Sequence, residues 1–480
     1  MPKRFADKFI GGTPTFTFRD LIILPAKTEV EPSEVDLSTR FTKNIGIAIP
    51  FVSSPMDTVT GSEMAIALAR LGGIGVVHRN MSVEEQVEEV RRVKRAESFI
   101  IRDVVTIGPR ATVGEALTIM KGRGISGLPV VDGERLVGII TKRDVTFEAP
   151  EKRVEEVMTR ELYTAEPDIT IEEAKARMRA HKVEKLPVVS REGKLLGLIT
   201  IKDIYSRERY VNATRDIEGR LRVAASVSPF DVDRAKALDA YADVLVFDVA
   251  HFHNTKAMKA ADVIAKETSA DIIVGNIGTA EAMRDVLGYL RRVDGVRVGM
   301  GSGSACITAL VTRVAAPTLF AVSQVADVLA EENVDIPVIA DGGVRNPGDA
   351  ALALASGASC VMMGNVFAGC TESPGELIKI GNKYYKPFRG MGSKSSRAKR
   401  FTLDRYSQSP KGIAEGVEGY VHYRGDAQVV VEEFSEGLKA TMGYMGARCL
   451  KEMWEKAKFG LISATGVQEL SPHDIVLPGD

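Results

Sequence analysis

A cysteine set among glycines is the first residue in this chain that could do chemistry. Gly299-Met300-Gly301-Ser302-Gly303-Ser304-Ala305-Cys306-Ile307-Thr308 follows directly on the strand-like run Val296-Arg297-Val298. Glycine lets the backbone take φ > 0 and approach a ligand or ion closely, with N–H and C=O groups left to bind it. A thiol in such a loop becomes a nucleophile if its pKa is lowered there. The plain alternative is a buried cysteine beside a tight turn, since free cysteine is among the most buried residue types. The loop alone does not decide between them.

The elements that position this loop are short, nearly continuous apolar runs, the mark of strands buried on both faces. Ile47 to Val52 and Gly73 to His78 come first; Arg222 to Val227, Val244 to Asp248, Ile272 to Asn276, Val296 to Gly299, Pro337 to Asp341 and Cys360 to Gly364 follow. Helical spacing separates most of them, for example Met64, Ala65, Ala67, Leu68 and Leu71. Two strands and then six make eight, which predicts a closed (β/α)8 TIM barrel of the α/β class. A doubly wound open sheet is the runner-up, but its phosphate fingerprint usually follows the first strand, and none is there. Residues 1–46 read as an irregular arm.

In such a barrel the residues just past the strand ends line the active site. Here those positions hold Ser54 and Met56, Asp248, Asn276, the Cys306 loop, Asp341-Gly342-Gly343 and Gly364-Asn365. Strand-end turns would supply Gly, Asn and Asp anyway. A thiol, two carboxylates and an amide converging on one end favour the nucleophile over the buried thiol. Backbone N–H groups after the seventh and eighth strands suit a phosphate, so a phosphorylated small molecule is the expected substrate. Ser393 to Arg400 carries four cations and three serines. It reads as a mobile lid that continues past Arg405-Tyr406 to about residue 426.

Composition narrows the function classes. Lysine plus arginine (63) balances aspartate plus glutamate (64), so no polyelectrolyte footprint points to nucleic acid or an anionic membrane. No apolar run has the length of a membrane helix, and the N-terminus lacks a signal-peptide core. Four scattered cysteines without disulfide or zinc spacing suit a reducing compartment, and the cytoplasm is expected. At 480 residues, two or more domains are expected.

A duplication interrupts the barrel pattern. Gly127-Leu128-Pro129-Val130-Val131 is answered 58 positions on by Lys185-Leu186-Pro187-Val188-Val189, and Gly138 to Asp144 is answered 59 positions on by Gly197 to Asp203. Two copies are too few for a solenoid and favour a paired domain. The pair resembles tandem CBS motifs, the Bateman module that binds purine nucleotides. By that resemblance Asp144 and Asp203 meet ribose hydroxyls, and Thr141 and Thr200 sit near phosphate. The plain alternative is that both aspartates cap the helices that follow. The expected boundaries are 1–93 and 211–480 for the two parts of the barrel, with a flap at about 393–426, and 94–210 for the inserted CBS pair.

Ser53 to Thr60, Gly299 to Thr308, Ala340 to Gly343, Glu372 to Glu376, Arg389 to Ser393 and Asp404-Arg405-Tyr406 together closely resemble the IMP dehydrogenase / GMP reductase family, on its inosine-5′-monophosphate dehydrogenase side. The resemblance implies that the Cys306 thiolate attacks C2 of inosine monophosphate (IMP), that hydride passes to NAD, and that the resulting thioimidate is hydrolysed to xanthosine monophosphate (XMP). Thr308, Arg405 and Tyr406 would assist. Ser304, Asp341, Gly343 and Gly364 would hold ribose and phosphate, with Ser54, Met56, Gly342, Asn365 and Gly390 alongside. Met391 and Gly392 would meet the base, and Glu415 the ring N1–H. Asp248, Asn276, Gly299 and Gly301 would face NAD. Carbonyls of Gly301, Gly303 and Cys306 would ligate a monovalent cation, potassium by expectation, with Glu469 from a neighbouring subunit. The resemblance also implies a homotetramer, with pairing into octamers left open, and purine nucleotides as regulators at the CBS pair.

Four positions depart from the family pattern. Ser302 stands where many members have proline, Ala309 where many have arginine, Phe388 for a usual tyrosine, and Phe252 for a frequent glycine that would bear on cofactor stacking. GMP reductase, which uses NADPH for reductive deamination, is the sibling alternative, but its members generally lack the Arg-Tyr pair. A nucleotide sensor with an inert barrel is the alternative of another class.

Overall fold

The computed structural model describes residues 15–96, 100–102, 104–399, 401, 413–463 and 465–470. Eight parallel strands close into a barrel. They are β1 (Phe51–Ser53), β2 (Ile74–Val77), β3 (Ala224–Val227), β4 (Val244–Phe247), β5 (Asp271–Ile277), β6 (Gly295–Val298), β7 (Val338–Asp341) and β8 (Cys360–Met363). Each pairs with the next, and β8 returns to β1, as at Met363 opposite Ser53. Val52, Ile74, Val76, Val244, Val246, Ile273, Ile339 and Met362 fill the interior, so the barrel is a packed core rather than a pore.

The first expected strand, Ile47 to Val52, divides in two. Ile47 belongs to a hairpin, Thr39–Arg40 with Gly46–Ile47, and the barrel strand starts only at Phe51, after Pro50, which has no N–H to give a ladder. The hairpin closes the N-terminal end of the barrel. Phe41 and Ile45 join the core cluster, and Lys43 N–H donates to the Asp294 carbonyl at 2.8 Å, next to the start of β6. The irregular arm therefore has a defined role, and the opposite end is left for function.

By internal packing the chain separates into two compact units, Met1–Val93 with Asn212–Thr214 and Arg222–Asp480, and Lys94–Val211 with Arg215–Leu221. The second contains the duplicated elements. Each copy has a helix, Val113–Arg123 or Ile171–His181, opened by a threonine–glutamate capping box, Thr112 with Glu115 or Thr170 with Glu173. Each then has a hairpin, Gly127–Asp132 with Arg135–Thr141, or Lys185–Val189 with Leu195–Thr200, whose register shifts at the same place, Val130/Val131 or Val188/Val189. Each copy buries its own small core, around Leu128 and Ile140 in the first and Leu186 and Ile199 in the second. Among the described residues no helix is long and apolar enough to cross a membrane.

Candidate active site

The C-terminal strand ends open into one cleft of about 980 Å³, solvent at its mouth included. It is lined by Ser54, Met56, Asn276, Gly299, Gly301, Gly303, Ser304, Cys306, Thr308, Asp341, Gly342, Gly343, Gly364, Asn365, Gly390, Met391, Gly392 and Glu415. Residues read separately from seven stretches of sequence are thus neighbours.

Cys306 sits half-buried in this cleft, its N–H donating to the Gly303 carbonyl at 3.0 Å. The thiol donates to Thr308 Oγ1 at 3.2 Å, and Thr308 Oγ1 donates to Glu415 Oε2 at 2.9 Å. Glu415 is 2% exposed. Its backbone is stitched to the loop, since Ile307 N–H donates to the Glu415 carbonyl at 3.1 Å and Val417 N–H to that of Ala305 at 3.0 Å. A thiol, a hydroxyl and a carboxylate therefore form one hydrogen-bonded line along which a proton can move.

Backbone conformation keeps the loop in place. Gly299 has φ +129°, and a Cβ there would lie 2.3 Å from the Asp341 carbonyl oxygen. Gly343 has φ +88°, and a Cβ would meet the Phe18 ring at 2.8 Å. Neither position tolerates a side chain. Ser302 Oγ pairs with Thr318 Oγ1 at 2.7 Å, and Thr318 donates to the carbonyls of Asp341 and Gly342, so one hydroxyl joins the cysteine loop to the loop after β7.

Some expected residues lie elsewhere. Asp248 is 1% exposed and does not line the cleft; its carboxylate accepts from Arg297 Nη1 at 2.7 Å. Glu469 is exposed on a short turn, Gly466–Leu470, away from the cleft lining. Arg405 and Tyr406 lie outside the described residues. The part of the lid that is described is not loose. Lys394–Ala398 forms a helix capped by Ser393, with Ser393 and Ser396 fully buried. Asn80 Nδ2 donates to Ser396 O and Oγ, Arg389 Nη1 to Ser395 Oγ at 2.8 Å, and Ser395 N–H to Glu418 at 2.9 Å. Composition suggested a solvated stretch; buried partners from distant segments hold it instead.

Those partners form a polar wall that sequence reasoning missed. Arg389 pairs with Asp57, and Asn80 Nδ2 donates to Asp57 Oδ2 at 2.7 Å. Burial pushes Asp57 up, but Arg389 and Asn80 outweigh it and hold the carboxyl below its ordinary range. Burial pushes the neighbouring His78 imidazole down to about 4. Arg297, also missed, had a readable signal: it is a lone cation in an apolar strand.

A family model described as the IMP dehydrogenase / GMP reductase domain matches residues 15–473. The chain is 55% identical over 461 residues to an inosine-5′-monophosphate dehydrogenase from Korarchaeum cryptofilum, covering 96% of each chain. It is 46% identical to one from Methanocaldococcus jannaschii, covering 99% of this chain and 98% of the other. Among solved structures, a GMP reductase variant from Trypanosoma brucei in complex with guanosine 5′-monophosphate superposes with a TM-score of 0.89 at 35% identity, over 97% of this chain and 99% of that one. The chain belongs to the IMP dehydrogenase / GMP reductase family.

Within this IMP dehydrogenase / GMP reductase fold, two departures from the family pattern have structural explanations. Ser302 provides the hydroxyl link to Thr318 that a proline could not. Phe252 is fully buried and stacks on Phe247 with ring centroids 6.1 Å apart, so it packs in the core instead of offering a surface to a cofactor. Phe388 lines the cleft. Of the other cysteines, Cys360 and Cys370 are poorly placed for chemistry, because burial raises the Cys360 thiol far above its ordinary range and Cys370 to about 12; Cys449, before helix Leu450–Lys456, does not line the cleft.

Proposed function

We propose that this chain oxidises IMP to XMP with NAD as hydride acceptor, Cys306 being the nucleophile. The hydrogen-bonded line Cys306–Thr308–Glu415 inside the cleft carries this reading. As sulfur bonds to C2 of the base, the thiol proton can pass to Thr308 while the Thr308 proton passes to Glu415, so nucleophile and proton acceptor are preassembled. NAD, when bound, takes the hydride that leaves C2. Water then replaces sulfur at C2, and the thiol is regenerated. Arg405 and Tyr406 are proposed to assist that hydrolysis. Separating oxidation from hydrolysis is the purpose of the covalent intermediate.

The residues present fit both ligands. Among the described residues the N–H groups of Gly343 and Gly364 find no acceptor in the surrounding loops, which suits the phosphate. Among the described residues Asn276 Oδ1 is buried without a donor, although its Nδ2 donates to Gly299 O and Asp341 Oδ2, both at 2.8 Å. A hydroxyl or amide of the dinucleotide would satisfy that oxygen. A monovalent cation, potassium in our reading, would use carbonyls of Gly301, Gly303 and Cys306, with Glu469 of a neighbouring copy in a homotetramer. The duplicated unit is proposed to be a CBS pair spanning about 94–210. Thr141 and Asp144 line a cleft there with Lys142, Arg143, Tyr163 and Lys185, which suits a regulatory purine nucleotide. We place the enzyme in the cytoplasm.

The likeness to a GMP reductase structure keeps that reaction as the second reading; Arg405-Tyr406 in the sequence argues against it. The test is to supply the purified chain with IMP and NAD in potassium buffer and to follow NADH together with XMP. Consumption of guanosine monophosphate and NADPH instead would overturn the proposal.

A further inference from the structure

The cleft floor holds a cation that the proposed chemistry leaves unused. Arg297 sits within β6, with its side chain 5% exposed, and a guanidinium at that depth must be paired. Its Nη1 reaches Asp248 Oδ1 at 2.7 Å, at the end of β4. Its Nε and Nη2 converge on Asp341 Oδ2, at the end of β7, at 2.9 and 2.8 Å. Asn276 Nδ2, from β5, adds a third donor to the same oxygen at 2.8 Å. Four adjacent strands thus fix one carboxylate. Asp341 Oδ2 is saturated, whereas Oδ1 has no donor among the described residues, and Asp341 lines the cleft. Only a planar fork can serve two carboxylates in this way; a lysine ammonium is a single point charge.

We propose that Arg297 is a positioning residue that holds the Asp341 carboxylate in one orientation with Oδ1 alone presented, and so makes the site selective for a ribonucleotide over its 2′-deoxy counterpart. This rests on the reading that Asp341 faces the ribose. A fixed acceptor oxygen is left unsatisfied when a hydroxyl is missing, and a site built around a hydroxyl rejects the analogue that lacks it. A carboxylate free to turn can find another donor or water, and the discrimination fades.

The experiment is titration calorimetry of the full chain with IMP and with 2′-deoxy-IMP. The unsubstituted chain should favour IMP by roughly 30-fold or more, and Arg297→Lys should reduce that ratio below about 5-fold. The variant should still unfold cooperatively, at a lower melting temperature, and the alkylation rate of Cys306 should stay near that of the unsubstituted chain, which a general collapse of the cleft would not allow. Asp341→Asn separates the two readings. If Asp341→Asn abolishes the preference while folded Arg297→Lys keeps it, the role of Arg297 is overturned. If Asp341→Asn keeps it, the assignment of Asp341 to the ribose falls, and the inference with it. Should Arg297→Lys not fold, Asp248→Asn removes one anchor of the guanidinium with little change of shape. A ratio lowered about threefold then supports the proposal, and an unchanged one overturns it.

Discussion

In and beneath the barrel cleft, Thr308 meets Glu415 across 107 residues of chain, Asn276 meets Asp341 across 65, and Arg297 meets Asp248 across 49. In the duplicated unit, Thr141 meets Asp144 and Thr200 meets Asp203 across three. A threonine–aspartate pair three apart is a common way to begin a helix, because it satisfies first-turn N–H groups. Pairs separated by tens of residues exist only because the closed barrel brings strand ends together. The same residue types therefore carry different weight: convergence in the cleft argues for a site, whereas the local pairs argue first for helix starts.

The largest effect expected from this contrast is at the thiol. Cys306→Ala should lower kcat/KM for IMP oxidation at least about 10⁴-fold, while calorimetric affinity for IMP stays within a few-fold. Comparable losses of binding and turnover would mean that Cys306 is packing and not nucleophile. Next come the two partners. Thr308→Val and Glu415→Gln should each lower kcat by roughly 10²–10³-fold, and the double variant should be little worse than either. Additive losses would show that Thr308 and Glu415 act separately, and the line from thiol to carboxylate would then be only structural.

The two regions also differed in how much could be read beforehand. Buried parallel strands leave continuous apolar runs, so the eight strands and the groups at their ends were visible, as was the repeat of Leu-Pro-Val-Val. What was hidden depends on register between strands. Nothing in Val296-Arg297-Val298 tells that a guanidinium there reaches the ends of β4 and β7. Phe252, which replaces a frequent family glycine and was expected to bear on cofactor stacking, instead turns onto Phe247 in the core. Ser393 to Ala398 looked solvated because serines and cations usually are. Ser393 and Ser396 are nevertheless buried, and Asn80, Arg389 and Glu418, which no local pattern connects to this segment, hold Ser395 and Ser396.

A pH titration sharpens the comparison further, because among the described residues only the barrel wall buries a histidine beside a paired carboxylate. His78 has its folded pKa pushed down to about 4, below the ordinary 6.5. The unfolded chain therefore takes up the proton first, and stability is lost progressively as pH falls from about 6.5 towards 4. Asp57, held below its ordinary range, adds a loss in the same direction at lower pH. From the His78 shift, unfolding free energy should fall by about 2.5 kcal/mol between pH 8 and pH 4.5. Urea denaturation at the two pH values measures it, and His78→Gln should remove most of that difference whatever it does to absolute stability. An unchanged difference in the variant would assign the acid sensitivity to other groups.

The smallest effects separate helix start from ligand site in the duplicated unit. Asp144 accepts from the Thr141 hydroxyl at 2.8 Å and from its N–H at 2.7 Å, and Asp203 accepts from the Thr200 hydroxyl. As first-turn groups they are equivalent, so Asp144→Ala and Asp203→Ala should each destabilise the chain by about 1 kcal/mol. As ligand groups they are not. Thr141 and Asp144 line the cleft with Lys142, Arg143 and Lys185, whereas Thr200 and Asp203 are absent from its lining. Asp144→Ala should therefore weaken binding of a purine nucleoside triphosphate by roughly 5- to 10-fold, and Asp203→Ala should leave that cleft's affinity unchanged. Equal weakening in both variants would give the two copies equivalent sites despite the asymmetric cleft. No weakening in either would make both aspartates helix starts alone, and the contrast between distant and local polar pairs would then hold without exception.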